Sequence, residues 1–460
     1  MPEKIAMPDR VNLFQRIHFS IFPGTLQRSV YRERYRNFFN SLIFHFRPRS
    51  VQKRTLRFTL TWGLGGMAVV LVCMLFATGL MLKFVYQPVP DRAYESIIHL
   101  QHNVLFGQLI RNVHHWSGNI LLVIVFLHLS RVYFTGAFHP PRQFNWIIGL
   151  AMFLAVLTSN MTGYLLPWDQ LAFWAITICT GMLEYIPGIG EWLQGLVRGG
   201  SDIGPATLSI FFAIHTAIIP ACLLVLMPWH FWRVRKAHGL VVPRRPDEDK
   251  DRKDKKVPTI PNLILREIVV ALVLIAVIMV VSVIFNAPLE PKANPGLSPN
   301  PTKAPWYFAG IQELLLHFHP LFALFIIPVF MLIALVSIPY LNYQTDTAGV
   351  WFASHRGRHM TAAAALTAVI ITPIGIIADE FVIDFAAWIP GLPSVVSNGF
   401  LPAALVLAGI IAFYWMIKKK HAATNNESIQ SVFVLLMVAF IILTITGIWF
   451  RGKGMSLIWP

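Results

Sequence analysis

Nine apolar runs, each long enough to cross a membrane, constrain this chain more than any other feature. They fall at about 59–84, 104–135, 143–166, 206–233, 264–287, 317–341, 360–378, 399–417 and 429–450. A helix needs roughly 20 apolar residues to cross about 30 Å of hydrocarbon. Lipid offers no hydrogen-bond partners, so each run must satisfy its own backbone, which a helix does. The expected fold class is an all-α integral membrane protein of about nine transmembrane helices. Charged residues make up 13% of the chain, against about a quarter in soluble domains, which fits lipid as the solvent.

The net charge of +16 is concentrated beside the spans. Arg28, Arg32, Arg34, Arg36, Arg47, Arg49, Lys53, Arg54 and Arg57 precede the first run, and Arg233, Arg235, Lys236, Arg244 and Arg245 follow the fourth. Basic residues gather on the cytoplasmic side of membrane spans. With the N-terminus in the cytoplasm, loops 136–142, 234–263, 342–359 and 418–428 all lie inside, and all are basic. Loops 85–103 and 288–316, nearly free of net positive charge, then lie outside. This distribution argues against nucleic acid as a partner.

The same pattern divides the chain. Residues 1–57 form a basic, aromatic segment with no cleavable signal sequence expected. A helix lying on the membrane surface is expected over residues 11–22. Residues 58–235 form a four-span unit, and 236–263 a charged linker whose core cannot bury apolar surface. Residues 264–345 form a second membrane unit, and 346–460 additional spans. Loop 167–205 is rich in Trp, Ile, Pro and Gly, and short helices on the outer face are expected there.

Two pairs of histidines carry the strongest chemical signal. His114 and His128 are 14 residues apart on the second run, and His215 and His230 are 15 apart on the fourth. At about 100° and 1.5 Å per residue, each helix shows two imidazoles on one side, about 21–22 Å apart along its axis. In this topology the two helices run in the same direction. His114 therefore faces His215 at the outer end, and His128 faces His230 at the inner end. Such pairs suit bis-histidine ligation of two haem irons inside a bundle. Helix packing accounts for a lone histidine but poorly for two matched pairs, because ionisable groups at membrane depth are costly.

Neighbouring residues fit a macrocycle. Gly65 and Gly79 are 14 apart on the first run, and Gly149 and Gly163 are 14 apart on the third. Each pair would leave two notches where a flat ring meets backbone; close helix packing by small residues is the alternative. Arg111, three before His114, and Arg131, three after His128, are placed to pair with haem propionates or to snorkel to the interface. Cys73, Cys179 and Cys222 are too few for an iron–sulfur cluster, and no Cys-x-x-Cys-His attaches a c-type haem. They are expected to be small buried packing residues.

At these residues the chain resembles a known family. Arg111-Asn-Val-His-His-Trp-Ser and His128-Leu-Ser-Arg-Val-Tyr resemble the start and end of the second helix of cytochrome b in the cytochrome bc and chloroplast-type bf complexes. Thr162-Gly-Tyr-Leu-Leu-Pro-Trp-Asp-Gln170 and the stretch from His215 to His230 are similar to that family too. The 15-residue histidine spacing resembles the chloroplast type. Ala293-Asn-Pro and Pro305-Trp-Tyr-Phe308 resemble the companion subunit of that complex, here fused after the basic linker. The resemblance covers about residues 50 to 345.

The resemblance implies the membrane core of a quinol:cytochrome c oxidoreductase in a bacterial cytoplasmic (inner) membrane. It implies two non-covalent b haems, the outer one on His114 and His215 and the inner one on His128 and His230. A quinol at the outer site gives one electron to an iron–sulfur partner. The other electron crosses the two haems to a quinone at the inner site, coupled to proton translocation. The expected partners are a Rieske-type iron–sulfur subunit and a c-type cytochrome, in a homodimeric complex. Trp168, Phe173, Trp306 and Tyr307 are expected at the outer quinol pocket. Arg235 is placed to meet a quinone head group or propionate at the inner site, or to serve only as a positive-inside residue.

Two departures from the family matter. Its usual Pro-Glu-Trp-Tyr reads Ala304-Pro305-Trp306-Tyr307 here, so the motif carboxylate is missing. Glu313, about two turns past Trp306, is either the replacement proton acceptor or an interfacial glutamate with no role in turnover, and the altered motif points toward menaquinol. The second departure is Gly63, which precedes Leu64-Gly65-Gly66 where the chloroplast type has a cysteine holding a third haem. No covalent haem is expected. A dihaem anchor of a dehydrogenase or hydrogenase is the alternative reading, and the outer-pocket motifs argue against it. A haem-free transporter would predict matched halves, which this chain lacks.

Overall fold

The computed structural model describes residues 13, 14, 17, 47–244, 255–343 and 347–459. In chain order it contains α1 (Leu64–Lys83), α2 (Pro90–Asn103), α3 (Gly107–Phe134), α4 (Gln143–Leu165), α5 (Gln170–Gly181), α6 (Gly190–Arg198), α7 (Pro205–Lys236), α8 (Ile264–Ile284), α9 (Ala309–His317), α10 (Phe322–Tyr340), α11 (His355–Phe381), α12 (Val396–Lys420) and α13 (Asn425–Trp449). Among the described residues, nine helices are long and apolar enough to cross a membrane, and they coincide with the nine expected runs. The fold is the expected all-α membrane bundle. A short antiparallel pair, β1 (Ser50–Gln52) with β2 (Lys256–Pro258), ties the entry of the first unit to the entry of the second.

Only 11–33% of the most apolar stretch of each span is buried within the chain. The remaining apolar surface faces outward, as lipid requires. This corrects the cysteine reading. Cys73 is exposed, Cys179 and Cys222 are half-buried, and all three are free thiols. An apolar residue on a membrane span need not face the bundle interior, because the surrounding solvent is itself apolar. The surface helix expected over 11–22 falls almost wholly outside the described residues, as does the linker core at 245–254.

Helices α1, α3, α4 and α7 form one bundle: α1 and α4 flank α3, and α7 lies against α4. Its middle is filled by Leu71, Val72, Leu121, Leu122, Ala155, Val156 and Leu223. Loop 167–205 folds into α5 and α6 as expected. Asp169 starts α5 by accepting a hydrogen bond from the Ala172 amide at 2.9 Å, a capping interaction. Helix α2 was not expected. Its first residue is Pro90, with Asp91 in the first turn, both favourable at a helix start. In the C-terminal part, α13 lies against both α9 and α11.

Three spans contain a π-helical turn: Ile214–Ile218 in α7, Phe322–Ile326 in α10 and Val396–Phe400 in α12. Each turn is followed two residues later by a proline, namely Pro220, Pro328 and Pro402. Proline has no amide hydrogen for the i−4 carbonyl, and its ring crowds that carbonyl. Widening the preceding turn by one residue accommodates both defects.

Candidate metal centres and the adjoining groove

The π turn in α7 contains His215. A π turn inserts one extra residue into a helix. The 15-residue interval from His215 to His230 therefore winds as far as the 14-residue interval from His114 to His128. Both pairs come into register. The ring centroids of His114 and His215 are 6.1 Å apart with planes at 71°. Those of His128 and His230 are 6.5 Å apart at 73°. Two imidazoles bound to one metal ion at about 2 Å each have centroids roughly 6 Å apart. Among the described residues, no group of three or more His, Cys, Asp or Glu side chains converges as a bare-ion site would require. Two opposed imidazoles suit an iron whose other ligands belong to a macrocycle.

Local contacts aim the rings. His215 Nδ1 lies 2.9 Å from the Ser159 carbonyl oxygen. A carbonyl only accepts, so Nδ1 carries the proton and Nε2 keeps its lone pair for a metal. His114 Nδ1 lies 2.9 Å from Thr78 Oγ1. A Cβ at Gly79 would come within 3.2 Å of His114 Cε1, one at Gly65 within 3.3 Å of His128 Cε1, and one at Gly163 within 2.6 Å of His215 Cε1. These three glycines make room for the ligand imidazoles. Gly149 differs, because a Cβ there meets nothing within 4 Å. Gly163→Val is therefore expected to displace His215 and abolish most of one haem signal. A reduced-minus-oxidised spectrum of the variant checks this.

The two arginines part company. Arg131 donates from Nε to the Leu60 carbonyl at 2.8 Å, but its Nη2 is buried with no hydrogen-bond partner. That buried donor, one turn from His128, suits an anionic group such as a propionate. Arg111 donates to the carbonyls of Ala287 at 2.7 Å and Pro288 at 2.6 Å. It laces α3 to the chain beyond α8. Arg235 is exposed near the end of α7. It does not line the groove of ≈ 570 Å³ beside that end, which is formed by residues including Ile17, Phe144, Ile147 and Tyr340.

On the face of α3 turned away from His114 lies a groove of ≈ 370 Å³ lined by Trp116, Asn119, Ile120, Val123, Val281, Phe285 and Trp306. The first four repeat as one stripe of α3 at helical spacing. Sequence reasoning took only the histidine stripe of this helix and missed them. Trp306 Nε1 donates to Asn119 Oδ1 at 2.6 Å and closes one wall. Asn119 Nδ2 lies 3.2 Å from His115 Nε2. Tyr307 stands edge-on to Trp306, with centroids 5.6 Å apart, and its ring packs on the bundle core. Trp168 and Phe173 sit elsewhere, in a separate core with Leu165, Leu208 and Phe211.

Glu313 is fully buried and lies off the groove lining. Arg451 Nη2 donates to its Oε1 at 2.6 Å, and Arg451 Nε lies 3.0 Å from Oε2. His317 Nε2 is 3.2 Å away. Burial alone would raise the Glu313 carboxyl pKa. The hydrogen bonds and charges of His317 and Arg451 outweigh burial and hold it below the usual carboxylate range. A carboxylate so held is a weaker base than a free one. Two further carboxylates complete the cluster: Asp379 Oδ2 lies 2.7 Å from His317 Nδ1, and Glu380 Oε2 lies 2.9 Å from Arg451 Nη1.

Comparison with known proteins adds three findings. Residues 51–238 match the family model described as cytochrome b/b6/petB. Cytochrome b6 of Prochlorococcus marinus (strain AS9601) and cytochrome b6 of Synechococcus sp. (strain CC9605) are each 42% identical over 173 residues, which is 38% of this chain and 79% of the relative. A solved structure described as hyperthermophilic respiratory Complex III superposes with a TM-score of 0.63, covering 90% of this chain and 98% of that one. At 24% identity that likeness speaks for the fold.

Proposed function

The chain belongs to the cytochrome b/b6 family, and on that premise we propose that it is the membrane core of a proton-translocating quinol:cytochrome c oxidoreductase. It is an integral membrane protein of a haem b-binding family. The observation that carries the proposal is the pair of histidine pairs at 6.1 and 6.5 Å, with a groove of ≈ 370 Å³ on the opposite face of α3. Bound at these pairs, two b haems would supply one-electron carriers at two depths of the membrane. The chain's own residues do the rest. Ser159 and Thr78 hold the first pair in its metal-binding orientation. The groove offers apolar surface that suits an apolar ring, and the hydrogen bond from Trp306 to Asn119 fixes one wall.

The iron–sulfur centre and the c-type haem belong to partners in this reading: among the described residues no group of three or more His, Cys, Asp or Glu converges, and the sequence has no Cys-x-x-Cys-His. A Rieske-type subunit, a c-type cytochrome and a second copy of the complex complete it. The basic loops support a cytoplasmic N-terminus in a bacterial cytoplasmic membrane. The altered Ala304-Pro305-Trp306-Tyr307 motif supports menaquinol as substrate. Quinone reduction belongs to the His128 end.

The test is quinol-dependent reduction of cytochrome c by the purified complex, with a menaquinol and a ubiquinol analogue. Trp306→Ala is expected to lower turnover at least tenfold by opening the groove wall; full turnover in that variant would sink the assignment of the groove. Acidified organic solvent is expected to strip all haem from the chain, because Gly63 offers no thiol. Haem persisting on the denatured polypeptide would contradict this.

A further inference from the structure

The segment that carries Trp306 and Tyr307 is gripped from both sides by the C-terminal helix. Before the tryptophan, Lys303 Nζ donates to the Ile448 carbonyl at 2.7 Å, and the Gly454 amide donates to Asn300 Oδ1 at 2.6 Å. After it, α9 presses closely onto α13 at two glycines. A Cβ at Gly447 would come within 2.8 Å of the Ala309 carbonyl oxygen, and one at Gly310 within 2.6 Å of Thr444 Oγ1. One turn further on, Arg451 clamps Glu313.

The grip reaches the groove through the neighbouring residue. Gln312 Oε1 accepts from the Ala304 amide at 2.7 Å, and Gln312 Nε2 donates to the Thr302 carbonyl at 2.8 Å. The position of α9 therefore fixes the backbone two residues before Trp306. Trp306 in turn reaches Asn119 on α3. An unbroken set of contacts runs from the C-terminal tail to the groove wall.

We infer that Arg451, acting through Glu313, is a positioning residue for the groove, and that residues 425–459 serve as a brace on the quinol-binding segment. This rests on the quinol-oxidising reading. It gives Glu313 a mechanical role in place of proton acceptance. The salt bridge is between fully buried partners, so it is not loosened by solvent as a surface pair would be. Arg451 also holds Glu380 at 2.9 Å and the Met455 carbonyl at 3.0 Å. It thereby joins α9, α11 and the tail at one point.

The experiment compares the intact wild-type complex with complexes carrying Arg451→Gln, Lys303→Met, or the double change Glu313→Gln with Arg451→Gln. Haem content and both haem midpoints report the fold. The expected result is a KM for quinol raised about tenfold, equivalent to about 1.4 kcal/mol of binding, with kcat at saturating quinol changed much less and both midpoints unmoved. A general loss of structure would move all of these together. An unchanged KM in variants that keep both haems overturns the inference and leaves the functional reading standing. If Arg451→Gln loses haem, Lys303→Met and the double change decide by the same criterion. A wild-type complex that does not oxidise quinol overturns both readings.

Discussion

His114→Ala and His128→Ala each remove one haem, and not the same one. The wild-type chain is expected to bind two haems and each variant one, with the surviving haem keeping its own midpoint. The reason is geometric. Each iron would be held by one histidine from α3 and one from α7, and removing the α3 ligand leaves a single imidazole. The two sites lie about 21 Å apart along the helix axis, and no ligand is shared. Nothing else among the described histidines stands opposite His215 or His230 at ligand distance. His115→Ala is the control. That ring stacks edge-on against Trp116 and lies by Asn119, so both haems are expected to remain. Haem quantification with a redox titration reads all three variants. Two haems in either ligand variant, or both lost with helical content intact, would refute the assignment of ligands.

The histidine pairs were legible in the sequence because both chemistry and periodicity are local. Each pair lies on one helix, and its spacing alone sets the face and the separation. The 14-against-15 mismatch was visible as a number but not as a structure. Its cause, the π turn ahead of Pro220, depends on a proline lying within a membrane helix. Pro328 and Pro402 follow the same pattern, but Pro228 and Pro373 lie inside spans with no π turn ahead of them, so proline alone does not announce one. Helix α2 was hidden by its modest apolar content, although Pro90 and Asp91 mark its start. The groove stripe on α3 lies on the face opposite the histidines, where residues lining a groove and residues facing lipid are equally apolar. Cys73 shows a different limit. Hydropathy tells a span from a loop, but not its lipid face from its core face. The Glu313–Arg451 contact was out of reach altogether. Its partners are separated by 138 residues, and no periodicity links them. Proximity to Trp306 in sequence carried no information on the salt bridge that proximity in space supplies.

Replacing Arg451 by Met is expected to destabilise the C-terminal helices, by at most about 3–5 kcal/mol, because the buried Glu313 charge then keeps only its His317 contact. Adding Glu313→Gln to that change is expected to recover most of the loss. A neutral amide in the same place has little to desolvate, and Glu380, with its side chain 26% exposed, keeps access to water. Thermal unfolding followed by proteolysis of the C-terminal helices measures both variants. Equal losses in the single and double changes would mean that the pair contributes packing and not charge compensation. The cluster also sets a pH window. Burial would lower the His317 pKa, but hydrogen bonds and charges from Asp379 and Glu313 raise it to about 9. A raised pKa means that the imidazolium stabilises the folded chain fully below its ordinary value of 6.5. That contribution is lost as pH climbs through about 9. Glu313 runs the other way: its carboxylate contributes above the ordinary 4.5 and is lost as pH falls through its lowered folded value. The brace is thus complete in mildly acidic to neutral solution and loosens toward alkaline pH as His317 gives up its proton. His317→Gln should flatten the alkaline limb while leaving the acid limb in place. If the alkaline limb persists in that variant, another group governs it.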